Sequence, residues 1–231
     1  MLKLNVVTLF PELFDVAFAT SIMGRAKEKK LVEYRVVQLR DYTHDRHHTV
    51  DDAPYGGGAG MVLKPDPFFE ALDDLKAKAP IVLLSARGRQ FRHDDAVRLS
   101  LGTELTLLCG HYKDVDHRVA EADGVEEIAV GDFVVSGGEI PALLVADAIV
   151  RLLPGVLGDH ESAATDSFYD GLLSPPSYTR PPEYRGRTVP DVLLGGDYAK
   201  IQAWRRAEAE RLTKSRRPDL WARHEADEDK G

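Results

Sequence analysis

The sequence predicts an α/β protein with a largely parallel sheet, followed by a small helical appendage. Three observations carry this. From residue 1 to about 155, short apolar runs alternate with helical patterns, and parallel strands need helical crossovers between them. From His160 to about Arg187 the text turns rich in Ser, Thr, Pro and Gly, with X-Pro steps that forbid continuous helix. From Tyr198 to Leu212 helical periodicity returns, with Ile201, Trp204 and Leu212 as its apolar contacts.

Taken in order, strands are expected at Leu4 to Leu9, Tyr34 to Leu39, Ile81 to Leu84 and Leu105 to Leu108, because each is a short apolar run bounded by polar text. Helices are expected between them, near Pro11 to Glu28, Pro67 to Ala77 and Asp94 to Leu101. A longer helix runs from about Pro141 to Leu153, with proline in its first turn and Pro154 and Gly155 as its stop. Its text PALLVADAIVRLL is interrupted only by Asp147 and Arg151. A helix that is apolar all round is buried, here in the core or against a second subunit. Near the end SRRPDLW makes a short basic element, and the acidic tail HEADEDKG is expected to fray. No internal repeat is visible.

The 231 residues are 43% hydrophobic and 29% charged, a globular balance that excludes disordered and fibrous classes. A single cysteine, Cys109, allows no internal disulfide, so stability must come from packing and a reducing compartment is the natural home. The opening MLKLNVVTLFPELF has one lysine and no small-residue cleavage site, so it reads as a first strand rather than a signal peptide. No stretch approaches the ~18 apolar residues of a membrane span. A soluble, cytoplasmic protein with no membrane partner is expected. The formal charge of −8 is unevenly spread: residues 176–217 hold ten cations against five acids, a balance of +5 that leaves −13 on the rest. A basic segment on an acidic chain has the form of a polyanion-binding appendage, or of a solvated basic helix face.

Glycine is concentrated at three places. DDAPYGGGAGM at 51–61 has four glycines in five positions, suited to bringing backbone amides near a ligand or to a plain surface loop. It is not a nucleotide fingerprint: GxxxxGK[ST] is absent, and Met61 stands where GxGxxG from Gly56 would need its third glycine. LLCGHYKDVDHR at 107–118 and VGDFVVSGGE at 130–139 place glycines at the ends of strand-like runs. In open α/β sheets ligands sit beyond the carboxyl ends of strands, so two such ends point to a pocket read by main-chain groups. Ordinary turns are the alternative. His44, His47 and His48 of HDRHHT match no usual zinc spacing and lack cysteine, so no metal site is expected; a polar surface touching phosphate or base edges is the functional alternative.

In order along the chain, LFPELF at 9–14, THDRHHTVDDAPYGGGAGM at 43–61, LLCGHYKDVDHR, VGDFVVSGGEIPA at 130–142, RLLPGVLG at 151–158, ATDSFYDGLLSPPSYTRP at 164–181 and VPDVLLGGDYAKIQAWR at 189–205 resemble the bacterial tRNA (guanine-N1)-methyltransferase family, TrmD, of the SPOUT class. The resemblance spans nearly the whole chain. It implies a SPOUT-type domain with a deep trefoil knot over 1–159, a linker over 160–172 and a helical tRNA-binding domain over 173–231. It implies S-adenosyl-L-methionine as methyl donor, N1 of guanine 37 of tRNA as acceptor, and a homodimer with active sites between its subunits.

Carried over residue by residue, the resemblance puts Leu84, Ser85, Gly110, Tyr112, Val130, Gly131, Asp132, Phe133, Val134, Val135, Gly137 and Gly138 in the cofactor pocket. It makes Asp166 the catalytic base and places Arg151 at the same site. Guanine N1 bears a proton at neutral pH and becomes nucleophilic only when it is removed, and charge then shifts to O6, where a fixed cation helps. Read without the resemblance, Asp166 is a helix N-cap before SFY and Arg151 pairs with Asp147. tRNA contacts are implied for Tyr55, Gly56, Gly57, Gly58, Arg180, Arg205, Arg206 and Arg216.

Two departures stand out. Lys113 occupies a position where many members of the family carry glutamate, so a magnesium or proton-relay role of that glutamate does not transfer. The familiar LLDCPHYTRP reads LLSPPSYTRP, with Ser174, Pro175 and Ser177 in place of Asp, Cys and His. Two alternatives to guanine N1 methylation follow: a SPOUT enzyme with another target nucleotide, and an RNA-binding module without chemistry.

Overall fold

The computed structural model describes residues 1–157 and 165–228. The first half of the expected linker, its boundary with the first domain and the last three tail residues lie outside the described residues. The chain forms two compact units, Met1–Gly158 and Asp159–Gly231.

In the first unit, strands β1 (Leu2–Thr8), β2 (Val32–Gln38), β5 (Ile81–Gln90), β6 (Glu104–Cys109) and β8 (Val125–Ala129) form a sheet of order β2-β1-β6-β5-β8. Every neighbouring pair is parallel. The register sets Leu4 beside Leu105 and Val6 beside Leu107, with Val82 on the other side of Leu107. Alternate residues of a strand point to opposite faces, and both faces here are apolar. Leu4, Val6, Val82, Leu105 and Leu107 pack in one core cluster with helices α1 (Glu12–Ala19), α2 (Ser21–Glu28), α4 (His93–Ser100) and α6 (Glu139–Val150). Val7, Leu83 and Leu108 pack in the other, with Phe68 and Leu75 of α3 (Pro65–Leu75) and Val119 of α5 (His117–Ala120).

The expected elements are present, with three differences. The pattern from Pro11 to Glu28 is two helices, because Thr20 is extended and Ser21 takes a φ of 54°. Strand β8 has no expected counterpart, since Glu126 and Glu127 interrupt its apolar text; at the sheet edge these acids meet Arg89, Arg98 and Arg87 instead of core. Strand β5 continues past Leu84 to Gln90 with a register shift against β8, Leu84 and Arg89 both facing Ile128. A small sheet joins β3 (Asp51–Asp52) antiparallel to β4 (Val62–Leu63) and β4 parallel to β7 (Asp114–Val115).

Helix α6 is not buried all round. Ala142, Val145, Ala146, Ile149 and Val150 face the core, while Ile140 and Leu144 are exposed. The histidine-rich segment is held by Asp45, which accepts from Thr49 N (2.9 Å), Thr49 Oγ1 (2.8 Å) and His47 N (3.1 Å). Those bonds hold its carboxyl down at about 2. No group of residues that could hold a metal ion occurs among the described residues, and no described helix is long and apolar enough to cross a membrane.

The second unit contains a two-stranded ribbon, β9 (Glu183–Tyr184) with β10 (Arg187–Thr188), and helices α7 (Asp191–Leu194), α8 (Tyr198–Arg216) and α9 (Pro218–Glu228). Asp197 caps α8 by accepting from Lys200 N at 3.2 Å. Helix α9 runs on to Glu228 through most of the tail expected to fray. Its Trp221 ring lies under the Lys214 ammonium at 4.0 Å, a cation–π contact. Thr213, buried in α8, accepts from Leu173 N at 2.9 Å, and Leu172 is itself buried. The stretch after residue 164 therefore packs as part of this unit.

One buried and one half-buried group of the first unit make its stability sensitive to alkaline pH. Burial, then Glu139, pushes the Cys109 thiol well above its ordinary 9.0, and burial, then Asp147, raises the Tyr34 phenol above 10.0. The unfolded chain releases these protons near pH 9 to 10 while the folded chain keeps them, so native stability declines as pH climbs through that range. Denaturant midpoints measured from pH 8 to 11 will fall, and Cys109→Ala with Tyr34→Phe will flatten the decline. The native thiol will also resist a disulfide reagent at pH 8 and react once the protein is unfolded.

Candidate active site

The middle of β5 at its register shift, the carboxyl end of β6 and the segment that follows β8 border a cavity of about 250 Å³. Eleven of the expected cofactor residues line it: Leu84, Ser85, Gly110, Tyr112, Val130, Gly131, Phe133, Val134, Val135, Gly137 and Gly138. Asp132 is exposed and does not line it. The position follows from the sheet. Parallel strands end on the same edge, and their loops meet there.

Close main-chain approach builds the floor. Gly138 N donates to Gly110 O at 2.7 Å, and Gly137 forms an antiparallel bridge with His111. A Cβ on Gly138 would lie 2.7 Å from Cys109 Cα and 2.8 Å from Gly110 N. Glycine is thus required here by the chain's own packing, a stronger reason than room for a ligand. Beneath the floor Glu139, 3% exposed, accepts from the Thr8 hydroxyl at 2.8 Å, and its other oxygen lies 3.9 Å from His111 Nδ1. Thr8 Oγ1 also accepts from Phe10 N at 3.0 Å. This carboxylate joins the end of β1 to the start of α6, with His111, just after β6, beside it but beyond hydrogen-bond distance.

Above the floor, Gly131–Ser136 makes no main-chain hydrogen bond among the described residues. Phe133 and Val134 of this segment are 59% and 86% exposed. The glycine loop lies nearby in sequence logic and in structure: Lys113 N donates to Met61 O at 2.9 Å, next to the pairing of β4 with β7. Gly56, Gly57 and Gly58 have φ of 82°, 78° and 116°, with open space where side chains would stand, and Tyr55 beside them is exposed.

The remaining expected residues lie elsewhere. Arg151 is the half-buried C-cap of α6 and does not line the cavity. Asp166 lies in a run of turns over 165–170, so it is not a helix N-cap. This run is tied down by Phe168 N to Leu172 O (2.7 Å) and Ser174 N to Ser167 Oγ (2.9 Å). It lines a wider cleft within the second unit, together with Tyr178, Arg180, Trp204, Arg205 and Arg206. Arg216 is outside that cleft. Arg206 pairs with Glu210 and Asp170, Arg211 with Glu208, and Arg217 with Asp219. Arg180, Arg205 and Arg216 make no ion pair among the described residues.

The profile of the family described as tRNA (Guanine-1)-methyltransferase TrmD matches residues 2–223. The chain belongs to this family. It is 50% identical over 224 residues to a tRNA (guanine-N(1)-)-methyltransferase of Dehalococcoides mccartyi strain CBDB1, covering 95% of this chain and 90% of that one. It is 48% identical over 227 residues to the protein of that name from Bacillus subtilis strain 168, covering 96% and 93%. It is 49% identical over 223 residues to that of Bacillus licheniformis, covering 95% and 92%.

The TrmD-family cavity fits a nucleoside-bearing methyl donor: apolar side chains offer ring contact, and uncommitted amides and carbonyls over Gly131–Ser136 offer hydrogen bonds. It offers a magnesium ion no free carboxylate, the usual protein ligand of that cation. The one carboxylate lining the cavity, Asp114, is spent: Oδ2 is 2.9 Å from Arg87 Nη1, and Oδ1 accepts from Val115 N at 2.8 Å. The sequence reading did not include Arg87 among the cavity residues, because only the register shift within β5 brings this polar stretch to the sheet edge.

Gly138→Ala will collapse this arrangement. Its methyl meets backbone on two sides, so a loss of about 1–3 kcal/mol or more in denaturant stability is expected, with loss of donor binding by calorimetry.

Proposed function

We propose that this chain transfers the methyl group of S-adenosyl-L-methionine to N1 of guanine 37 of tRNA, beside the anticodon. The observation that carries the reading is the cavity at the carboxyl edge of the parallel sheet, lined by the glycine-bearing strand ends, in a chain of this family. Relatives of about half identity bear the name tRNA (guanine-N(1)-)-methyltransferase, which favours guanine N1 over the other target nucleotides and over a module without chemistry.

When bound, the donor supplies an electrophilic methyl carbon on a sulfonium. The protein's part is placement and proton handling. Tyr112, Phe133 and the main chain of Val130–Val135 grip the nucleoside. Asp166 takes the N1 proton as general base, and the Arg151 guanidinium offsets the charge that grows on O6. Arg180, Arg205 and Arg216, cations without an acid partner among the described residues, meet tRNA phosphates, with Arg206 beside them; Tyr55 and Gly56 to Gly58 present a flexible edge to the RNA. The same reading includes a knotted domain over 1–159, a linker over 160–172, a tRNA-binding domain over 173–231, a cytoplasmic location and a homodimer. The exposed Ile140 and Leu144 of α6 and Val134 supply an apolar face for the second subunit.

Two measurements check it. A tRNA transcript with guanine at position 37 will accept methyl groups and one with adenine there will not; equal transfer to both, or to neither, rejects the assignment. Asp166→Ala will keep donor affinity by calorimetry and lose turnover by about 10²-fold or more, whereas undiminished turnover removes Asp166 from the mechanism.

A further inference from the structure

Three charged residues line the cavity, Arg87, Asp114 and the exposed Lys113. Two are committed to each other and to a third group. Arg87 Nη1 stands 2.9 Å from Asp114 Oδ2, and Arg87 Nη2 stands 3.4 Å from Glu127 Oε1. Lys113 makes no ion pair with any described residue. Its backbone is fixed by the bond from its N–H to Met61 O at 2.9 Å, and its stem lies against Gly60, whose Cβ would be 3.3 Å from Lys113 Cβ. The result is a cation anchored at its base, with an ammonium that has no charge to neutralise it.

This inference rests on the reading of the cavity as the site of the S-adenosyl donor. That molecule carries two positive groups, the sulfonium and the α-ammonium, and a single negative one, the α-carboxylate. An unneutralised lysine on the wall repels the first two unless it engages the third. The other cation has already spent its charge on Asp114 and Glu127. We infer that Lys113 receives the α-carboxylate of the donor, so that this residue selects ligands that carry a carboxylate and orients the amino-acid end of the molecule. A glutamate at this position would do the opposite and favour the ammonium. The cavity in which Lys113 stands offers no free carboxylate among the described residues to compete for that ammonium.

Calorimetry on the full-length protein with three probes tests this: S-adenosyl-L-methionine, its decarboxylated form, which keeps sulfonium and amine but lacks the carboxylate, and 5′-methylthioadenosine, which keeps only the nucleoside and thioether. The wild type should bind the intact donor about tenfold or more tightly than the decarboxylated one, the range of a charge-assisted contact. Lys113→Ala should erase that preference and leave 5′-methylthioadenosine affinity unchanged, which also shows the variant to be folded. Lys113→Arg should restore most of the preference. A preference that survives in Lys113→Ala, or an equal loss for all three probes, overturns the role of Lys113 and leaves the cavity assignment standing. Failure of the wild type to bind any of the three overturns the cavity assignment and this inference with it.

Discussion

The architecture of the site depends on one close approach. The chain leaving β8 passes under the end of β6 near enough for Gly138 N to reach Gly110 O at 2.7 Å, with Cys109 Cα too close for any side chain at 138. That contact places the uncommitted segment Gly131–Ser136 over the strand ends. It also delivers the start of α6, and with it Glu139, into the buried space beside Thr8. Cavity, floor and helix α6 are thus positioned by a single main-chain crossing, and a methyl group at the crossing would disturb all three.

A buried carboxylate is costly unless its oxygens are engaged. Glu139 is engaged at one oxygen by Thr8, which ends β1, while His111, which follows β6, stands 3.9 Å from the other oxygen, beyond hydrogen-bond distance. Desolvation beside this carboxylate also keeps the neighbouring Cys109 thiol neutral, so the apolar cluster beneath the site carries no thiolate. Apolar packing on both faces of the sheet does the rest, as in other all-parallel sheets.

Charge is handled locally. A chain with a formal charge of −8 repels a polyanion on average. Four of the ten cations of the basic segment, Lys200, Arg206, Arg211 and Arg217, are paired with acids of their own unit, and exposed pairs of this kind add little stability. Among the described residues Arg180, Arg185, Arg187, Arg205, Lys214 and Arg216 of that segment make no ion pair, and neither does Lys113 at the cavity of the first unit. A count of cations along the sequence overstates the charge open to a partner, because i,i+3 and i,i+4 spacing neutralises several of them on α8 itself.

Much was legible in the residues alone. The apolar runs at Leu4, Leu105 and Ile81 mark strands because burial on both faces demands unbroken hydrophobic text, and the ordered glycine segments mark the family because their spacing is set by chain crossings. The edge strand Val125–Ala129 was not legible, since its glutamates find partners only across the sheet, at Arg89 and Arg98. Nor was the split of the first helix at Ser21, the exposed flank of α6, or the entry of Arg87 into the cavity. Local sequence determines which segments can be helix, strand or turn, because propensity and periodicity act over a few residues. Which cations are neutralised, and which glycines are required by backbone rather than by a ligand, is decided only when distant segments meet, because both depend on distances between residues that the chain separates by tens of positions.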